Sequence, residues 1–416
     1  MKIDNRENKK IVFSIPILVA MILVLLEPPL FMQAYPRIDN VYNYAQLIVS
    51  IIIGIRYIRY CRIEGVTAWA IIYLFFLCIS TLINNVNIVR AFTRTASFVA
   101  VCLLIEIEIP YQPRRLVSTF LMILEVYLYL NVISYILFPQ GLYSTSILTK
   151  YYFLGYKNQM LNFILPCICF SLLNLETCDS SQRVISLFRT IVDYVLSMFV
   201  VIGVKSGAST VAMSAMFFFL IFRKFMNPRI FNMRIYMIAN TVMVIGIVLL
   251  GLQSVIMPLI SFLGKDETLT GRVYIWSKTM NLIEKKPIIG YGLQVNSQRV
   301  SLYSSLGVDK YDVFAGLHAH NRYLEVLYRG GIMLFIAYLG MLISSAEQLY
   351  KFRYSPQSMI IAFTAFVYLT GMVTEYYDYS PLFFAILLLG YRCNCLKGIS
   401  DSYEESITSR IERQVI

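Results

Sequence analysis

The spacing of its apolar runs constrains this chain more than any other feature. Candidate membrane-crossing segments fall at 11–26, 42–58, 66–83, 93–107, 116–137, 160–175, 185–204, 209–224, 233–255, 323–344, 357–376 and 379–392. Many approach the roughly 20 residues that an α-helix needs to cross a bilayer. Only 14% of the 416 residues are charged while 58% are hydrophobic. Soluble domains carry about 25% charged residues, so this chain lacks the charge to wet a globular surface. The sequence predicts an all-α polytopic membrane protein of about 12 transmembrane helices, and it excludes disordered, collagen-like, coiled-coil and disulfide-scaffold proteins. The fourth segment is the weakest as a helix, and the last is short.

The net charge of +12 does not point to nucleic acid, because the basic residues stand mainly between apolar runs. Arg56, Arg59 and Arg62, then Arg114 and Arg115, Arg183, Arg223, Lys224 and Arg229, and finally Lys351 and Arg353 fall in alternate connections. Cationic residues stay on the cytoplasmic side. Both termini are therefore expected in the cytoplasm, with an uncleaved first helix following Lys2, Arg6, Lys9 and Lys10. Arg90, Arg94, Lys150, Lys157 and Lys205 are exceptions on outward connections. The eight Cys form no CxxC pair, which argues against zinc and redox motifs.

One connection breaks the rhythm. Residues 256–322 form a far longer loop that contains its own periodic segment. The expected organisation is an N-terminal bundle over 1–255, an outward loop over 256–322, further transmembrane helices over 323–392 and a cytoplasmic tail over 393–416.

The chain has two histidines, both in Gly316-Leu317-His318-Ala319-His320-Asn321-Arg322 at the end of that loop. Imidazole exchanges protons near neutral pH, so His320 is a candidate general base at the outer membrane boundary. For His318 a structural role is the stronger expectation. A metal reading would need Asp309 or Asp312 as a third ligand; no metal or other cofactor is expected.

Earlier in the loop, Val273, Trp276, Met280 and Ile283 recur at helical spacing from Thr270, predicting an amphipathic helix on the membrane surface. Thr270 is a plausible N-cap and Arg272 falls in the first turn, where guanidinium and free N–H groups suit phosphate. The plainer alternative is an interfacial Arg with Trp276 as anchor. Gly203-Val204-Lys205-Ser206-Gly207 is either a third anion-binding stretch or simply a tight turn between helices.

Charges inside the apolar segments are few. Arg189 and Asp193, four apart on one helix, are expected to neutralise each other, leaving Glu125 with no evident partner. There is no P-loop, no dinucleotide-binding glycine motif, no HExxH and no acidic DxD pair, so nucleotide-driven chemistry is not indicated.

His320-Asn321 followed by Leu324, Leu327 and Gly331 resembles the signature of the bacterial O-antigen ligase and polysaccharide polymerase family. Gly271-Arg272 with Trp276, the run Pro287-Ile288-Ile289-Gly290-Tyr291-Gly292, and Gly155-Tyr156-Lys157-Asn158-Gln159 are similar to further segments of that family. These motifs cover about a third of the chain on the spacing reading used above. Leu334 stands where the family often has a second Gly, and Lys205 where many members carry Arg.

The resemblance implies a GT-C-like membrane glycosyltransferase of the bacterial cytoplasmic membrane. It implies that His320 deprotonates an acceptor hydroxyl and Arg272 stabilises a diphosphate leaving group. Lys205, His318, Asn321, Arg322, Trp276 and Asn158 would contact diphosphate or glycan. The implied partners are an undecaprenyl-diphosphate-linked oligosaccharide, the lipid bilayer and other polysaccharide-assembly proteins. The expected function is a metal-independent, inverting repeat-unit polymerase. The alternatives are ligase-type transfer to a different acceptor, a flippase for lipid-linked sugars, or a non-catalytic scaffold.

Overall fold

The computed structural model describes residues 11–144, 150–251, 272–304, 318–374 and 381–396. The chain is built from α1 (Ile15–Leu25), α2 (Pro29–Ala34), α3 (Pro36–Tyr60), α4 (Gly65–Ile83), α5 (Ile88–Glu108) and α6 (Pro113–Leu137). A small antiparallel hairpin follows, β1 (Tyr151–Tyr152) with β2 (Gly155–Tyr156). Then come α7 (Leu161–Thr177), α8 (Arg183–Gly203), α9 (Gly207–Phe222), α10 (Met233–Val244), α11 (Arg272–Lys285) and α12 (Asn296–Ser304). The C-terminal helices are α13 (Arg322–Lys351), α14 (Pro356–Thr374) and α15 (Pro381–Tyr391).

Each apolar segment of the sequence coincides with a helix among the described residues, and apart from the hairpin the fold is all-α and polytopic. Among the described residues, six helices are long and apolar enough to cross a membrane. They are Pro36–Tyr60, Gly65–Ile83, Pro113–Leu137, Ser180–Gly203, Arg322–Lys351 and Pro356–Val373. Five others are apolar but shorter, and the fourth segment is α5, a full 21-residue helix. Several helices open on proline (α1, α2, α3 and α6), where the missing N–H would have no intrahelical partner.

The core lies where α13 packs along α4, with α15 and α5 behind them. Stacked rings join helices across the bundle, Phe120 on Phe170 at 5.0 Å and Phe98 on Phe384 at 4.3 Å. The buried Glu125 is paired between helices, not along its own. Glu125 accepts two hydrogen bonds from Arg189, at 3.0 and 2.6 Å. This corrects the expectation that Arg189 would neutralise Asp193 and that Glu125 would stand alone. Asp193 instead accepts from Ser171 at 2.9 Å and Tyr129 at 3.2 Å. Helical spacing identifies neighbours on one helix and says nothing about the charge that a second helix delivers.

α13 is broken at Gly331, whose φ of 58° and ψ of −158° interrupt the helix. The carbonyls released by the break do not go unsatisfied. Tyr291 and Gly292 donate their N–H groups to the carbonyls of Tyr328 and Arg329, each at 2.8 Å. Ile332 donates to the Pro287 carbonyl at 2.8 Å. From α4, Ser80 reaches the carbonyls of Ile289 (2.5 Å) and Arg329 (2.7 Å). Irregular backbone among packed membrane helices persists only where such partners are supplied. The glycines allow the close approach: a Cβ on Gly331 would overlap the Ile288 carbonyl, and one on Gly290 would lie 2.5 Å from the Tyr328 oxygen.

Candidate functional site

The segment 287–292 docks at the Gly331 break of α13, the helix whose start follows the two histidines. Asn321 caps α13: its Oδ1 accepts the Leu324 N–H at 3.0 Å, and its Nδ2 donates to the Val373 carbonyl of α14 at 2.9 Å. Both ends of this fully buried carboxamide are thus used within the protein. Immediately before it, His320 has a φ of 45°. Positive φ is uncommon outside glycine and is costly enough to need enforcement by the surroundings.

The backbone just before His320 is held by Glu325, one turn into α13 and buried. Its carboxylate receives Arg299 of α12 in a two-pronged pair at 2.6 and 2.7 Å, and Arg329 at 2.7 Å. Its Oε2 also accepts the backbone N–H of Ala319 at 3.0 Å, and the His318 Nδ1 lies 4.0 Å from its Oε1. Burial would lower the basicity of Arg299, but the adjacent Glu325 carboxylate outweighs it and raises its pKa. A raised pKa leaves the stabilisation in place below the ordinary arginine value, so the clasp stays closed throughout the accessible pH range. A buried carboxylate needs such donors, and Glu325 is surrounded by them, although Arg299 Nε itself has no hydrogen-bond partner.

Trp276 is buried and packs with Ala319, Leu324 and Val373. Val273, Met280 and Ile283 border the same cluster, which is the face expected from their spacing. Arg272 is half-buried and begins the same helix, one turn before Trp276 and about 6 Å along the axis. A hydrogen bond of 2.7 Å between Thr279 and Tyr303 ties α11 to α12. The Arg272 helix is thus fixed against the histidine loop twice, directly through Trp276 and indirectly through Arg299 and Glu325. The expected N-cap, Thr270, lies outside the described residues, as do Asp309 and Asp312.

Arg322 is buried, with its guanidinium over the Tyr338 ring at 5.4 Å. Lys205 is exposed on the turn between α8 and α9, with a φ of 53°. The neighbouring Ser206 donates to Asn158 Oδ1 at 3.1 Å. Asn158 and the Lys205 turn are therefore neighbours, forming a second group apart from the histidine loop in sequence.

A cavity of about 180 Å³ opens beside His318. Glu27, Gln33, Asp39, Gln159 and Asn162 line it with His318. His320, Arg272 and Lys205 are not among its described lining residues. Sequence reasoning missed Glu325, Arg299, Arg329 and this cavity. A signal was present in the three charges Arg322, Glu325 and Arg329 at the head of an apolar run, since intramembrane charge is a functional pointer by default.

Residues 194–339 match the family model described as O-Antigen ligase. The matched stretch contains every candidate site residue except Asn158. The chain is also 27% identical over 107 residues to the Exopolysaccharide production protein ExoQ of Rhizobium meliloti (strain 1021). That alignment covers 24% of this chain, and the chain spans about a quarter (24%) of the length of that relative. Both comparisons point to the broad group of membrane proteins concerned with polysaccharide biosynthesis.

Proposed function

We propose that the protein is a membrane glycosyltransferase of the GT-C-like type, crossing the bacterial cytoplasmic membrane about 12 times with both termini inside. In this reading it polymerises repeat units carried on undecaprenyl diphosphate at the outer face. The observation that carries it is the docking of the Arg272 helix against the loop that holds His320 at positive φ, within the stretch that matches the ligase family.

An acceptor hydroxyl oxygen attacks the anomeric carbon of the donor sugar. His320 takes the hydroxyl proton, a new C–O bond forms, and the bond from the anomeric carbon to the diphosphate oxygen breaks. The electron pair leaves on that oxygen, where the Arg272 guanidinium stabilises the growing charge with two parallel hydrogen bonds. Attack from the face opposite the leaving group inverts the anomeric centre. Lys205 would add a second cation near the diphosphate as a point charge.

Ligase-type transfer to a different acceptor is the second reading, favoured by the description of the matching family. The word exopolysaccharide in the name of the other relative favours the polymerase. The test is purified protein with an undecaprenyl-diphosphate oligosaccharide. Release of lipid diphosphate with a ladder of longer glycans is expected. Movement of the intact lipid-linked unit across a bilayer with no new glycosidic bond would replace the transferase with a flippase.

A further inference from the structure

The cavity beside His318 has a chemical character different from the cationic groups assigned to diphosphate. Among its described lining residues there is neither Lys nor Arg; its charged members are the carboxylates Glu27 and Asp39. Amide side chains make up much of the remaining polar wall. They are held in place: Tyr143 donates to Gln33 Oε1 at 3.0 Å, Gln33 donates to Gln159 Oε1 at 3.1 Å, and the Tyr156 N–H donates to the same oxygen at 3.1 Å. Gly155 makes room for this, because a Cβ there would lie 2.6 Å from Gln159 Oε1.

Two acceptors in the wall stand out among the described residues. Asn162 is about nine-tenths buried at 9% exposure, yet its Oδ1 has no hydrogen-bond partner. A buried carbonyl left in this state costs free energy unless a ligand or water supplies a donor. Asp39 is half-buried in the first turn of α3, and its carboxylate makes no ion pair among the described residues. Phe163 and Leu382 add an apolar flank. Donor-hungry oxygens, fixed amides and an apolar flank fit a sugar ring, which offers several O–H donors and an apolar C–H face. They do not fit a diphosphate, which offers acceptors and negative charge.

We propose that this cavity is the glycan chamber of the protein, and that Asp39 makes it accept neutral or amine-bearing sugars and reject acidic ones. The inference rests on the transferase reading for its class of ligand. It also separates labour along the chain: the stretch matching the ligase family supplies His318, whereas Glu27, Gln33, Asp39, Gln159 and Asn162 all come from outside it. A carboxylate on a bound sugar would meet Asp39 at close range, where like charges in a partly desolvated site cost at least roughly tenfold in affinity.

The experiment is saturation-transfer NMR on the full chain in detergent with three soluble probes: methyl β-glucoside, its 2-amino-2-deoxy analogue and methyl β-glucuronoside. The first two are expected to bind, the aminoglycoside most strongly, and the glucuronoside about tenfold more weakly or not at all. Asn162→Leu should weaken all three, and Asp39→Lys should reverse the preference so that the glucuronoside binds best. Equal binding of glucuronoside and glucoside by the unaltered protein, or a preference that Asp39→Lys leaves unchanged, overturns the assignment. Asp39 is partly exposed in a first turn, so its replacement tests the charge without emptying the core. The charge-dependent pattern without any transfer of lipid-linked glycan would retain the chamber and remove the transferase. Transfer without discrimination among the probes would do the reverse.

Discussion

Glu325 and Arg299 form a two-pronged ion pair, 2.6 and 2.7 Å, that is buried in the first turn of α13. The same carboxylate holds the backbone of Ala319, between the two histidines. Glu325→Gln would leave Arg299 and Arg329 buried with their countercharge removed. Breaking a buried pair costs about 3–5 kcal/mol, so a marked fall in thermal unfolding temperature and loss of activity are expected. Because the raised Arg299 pKa keeps the clasp charged, the unaltered protein should show no alkaline loosening of this region by hydrogen exchange up to the limit of its general stability. Loosening confined to this segment at moderately high pH would show that the pair is not the anchor.

His320 combines a candidate base with a backbone conformation that favours glycine. His320→Ala should abolish glycan lengthening. His320→Gly is the sharper test, because it relieves the backbone while removing the imidazole. It should be equally inactive yet at least as stable by thermal melting; an active glycine variant would restrict His320 to shaping the loop.

Arg272→Lys keeps the charge and loses the planar fork. Removing one fixed donor to a developing anion typically costs about 10²–10³ in turnover, and a loss approaching that is expected in single-turnover release of lipid diphosphate. Full activity would reduce Arg272 to a lipid-facing anchor.

Gly331→Ala should be destabilising. The residue has positive φ, and the added carbon would overlap the Ile288 carbonyl. A penalty of at least about 1–3 kcal/mol follows from the backbone conformation alone, with the steric overlap added. A melting temperature equal to that of the unaltered protein would mean that the segment 287–292 is not docked as described.

Treatment with a divalent-metal chelator should leave turnover intact, since the proposed leaving-group stabilisation comes from Arg272 and Lys205. Loss of activity reversed by one added metal would show that a cation shares that task.

The helical core was legible because apolar content and length both survive as a one-dimensional pattern. α11 was legible for the same reason: Trp276 is buried, and Met280 and Ile283 border its cluster half-buried, on the face their spacing gives. The partners of buried charge were not, because Glu125 meets Arg189 across 64 positions of sequence and Arg299 meets Glu325 across 26. Those pairings depend on which helix faces which. The motif Pro287–Gly292 reads as a turn, and it is a turn, but its work is to satisfy carbonyls freed 37 residues later, from Tyr291 to Tyr328 and from Gly292 to Arg329, a debt visible only once the break at Gly331 is known. Asn321 resembled a substrate contact by its place beside His320; its carboxamide is engaged in holding the helix end and α14.

The turn docked at the Gly331 break is held by main-chain groups and by the clearance of three glycines, with Ser80 as the chief side-chain contributor. An attachment of that kind is indifferent to the identity of its other neighbours. Residues lining the chamber at the opposite end of the sequence can therefore drift without disturbing it. Chimaeras that exchange 27–46 together with 155–162 between relatives should inherit the sugar preference of the donor while keeping the host's joint intact, making the sugar preference transplantable separately from the reaction.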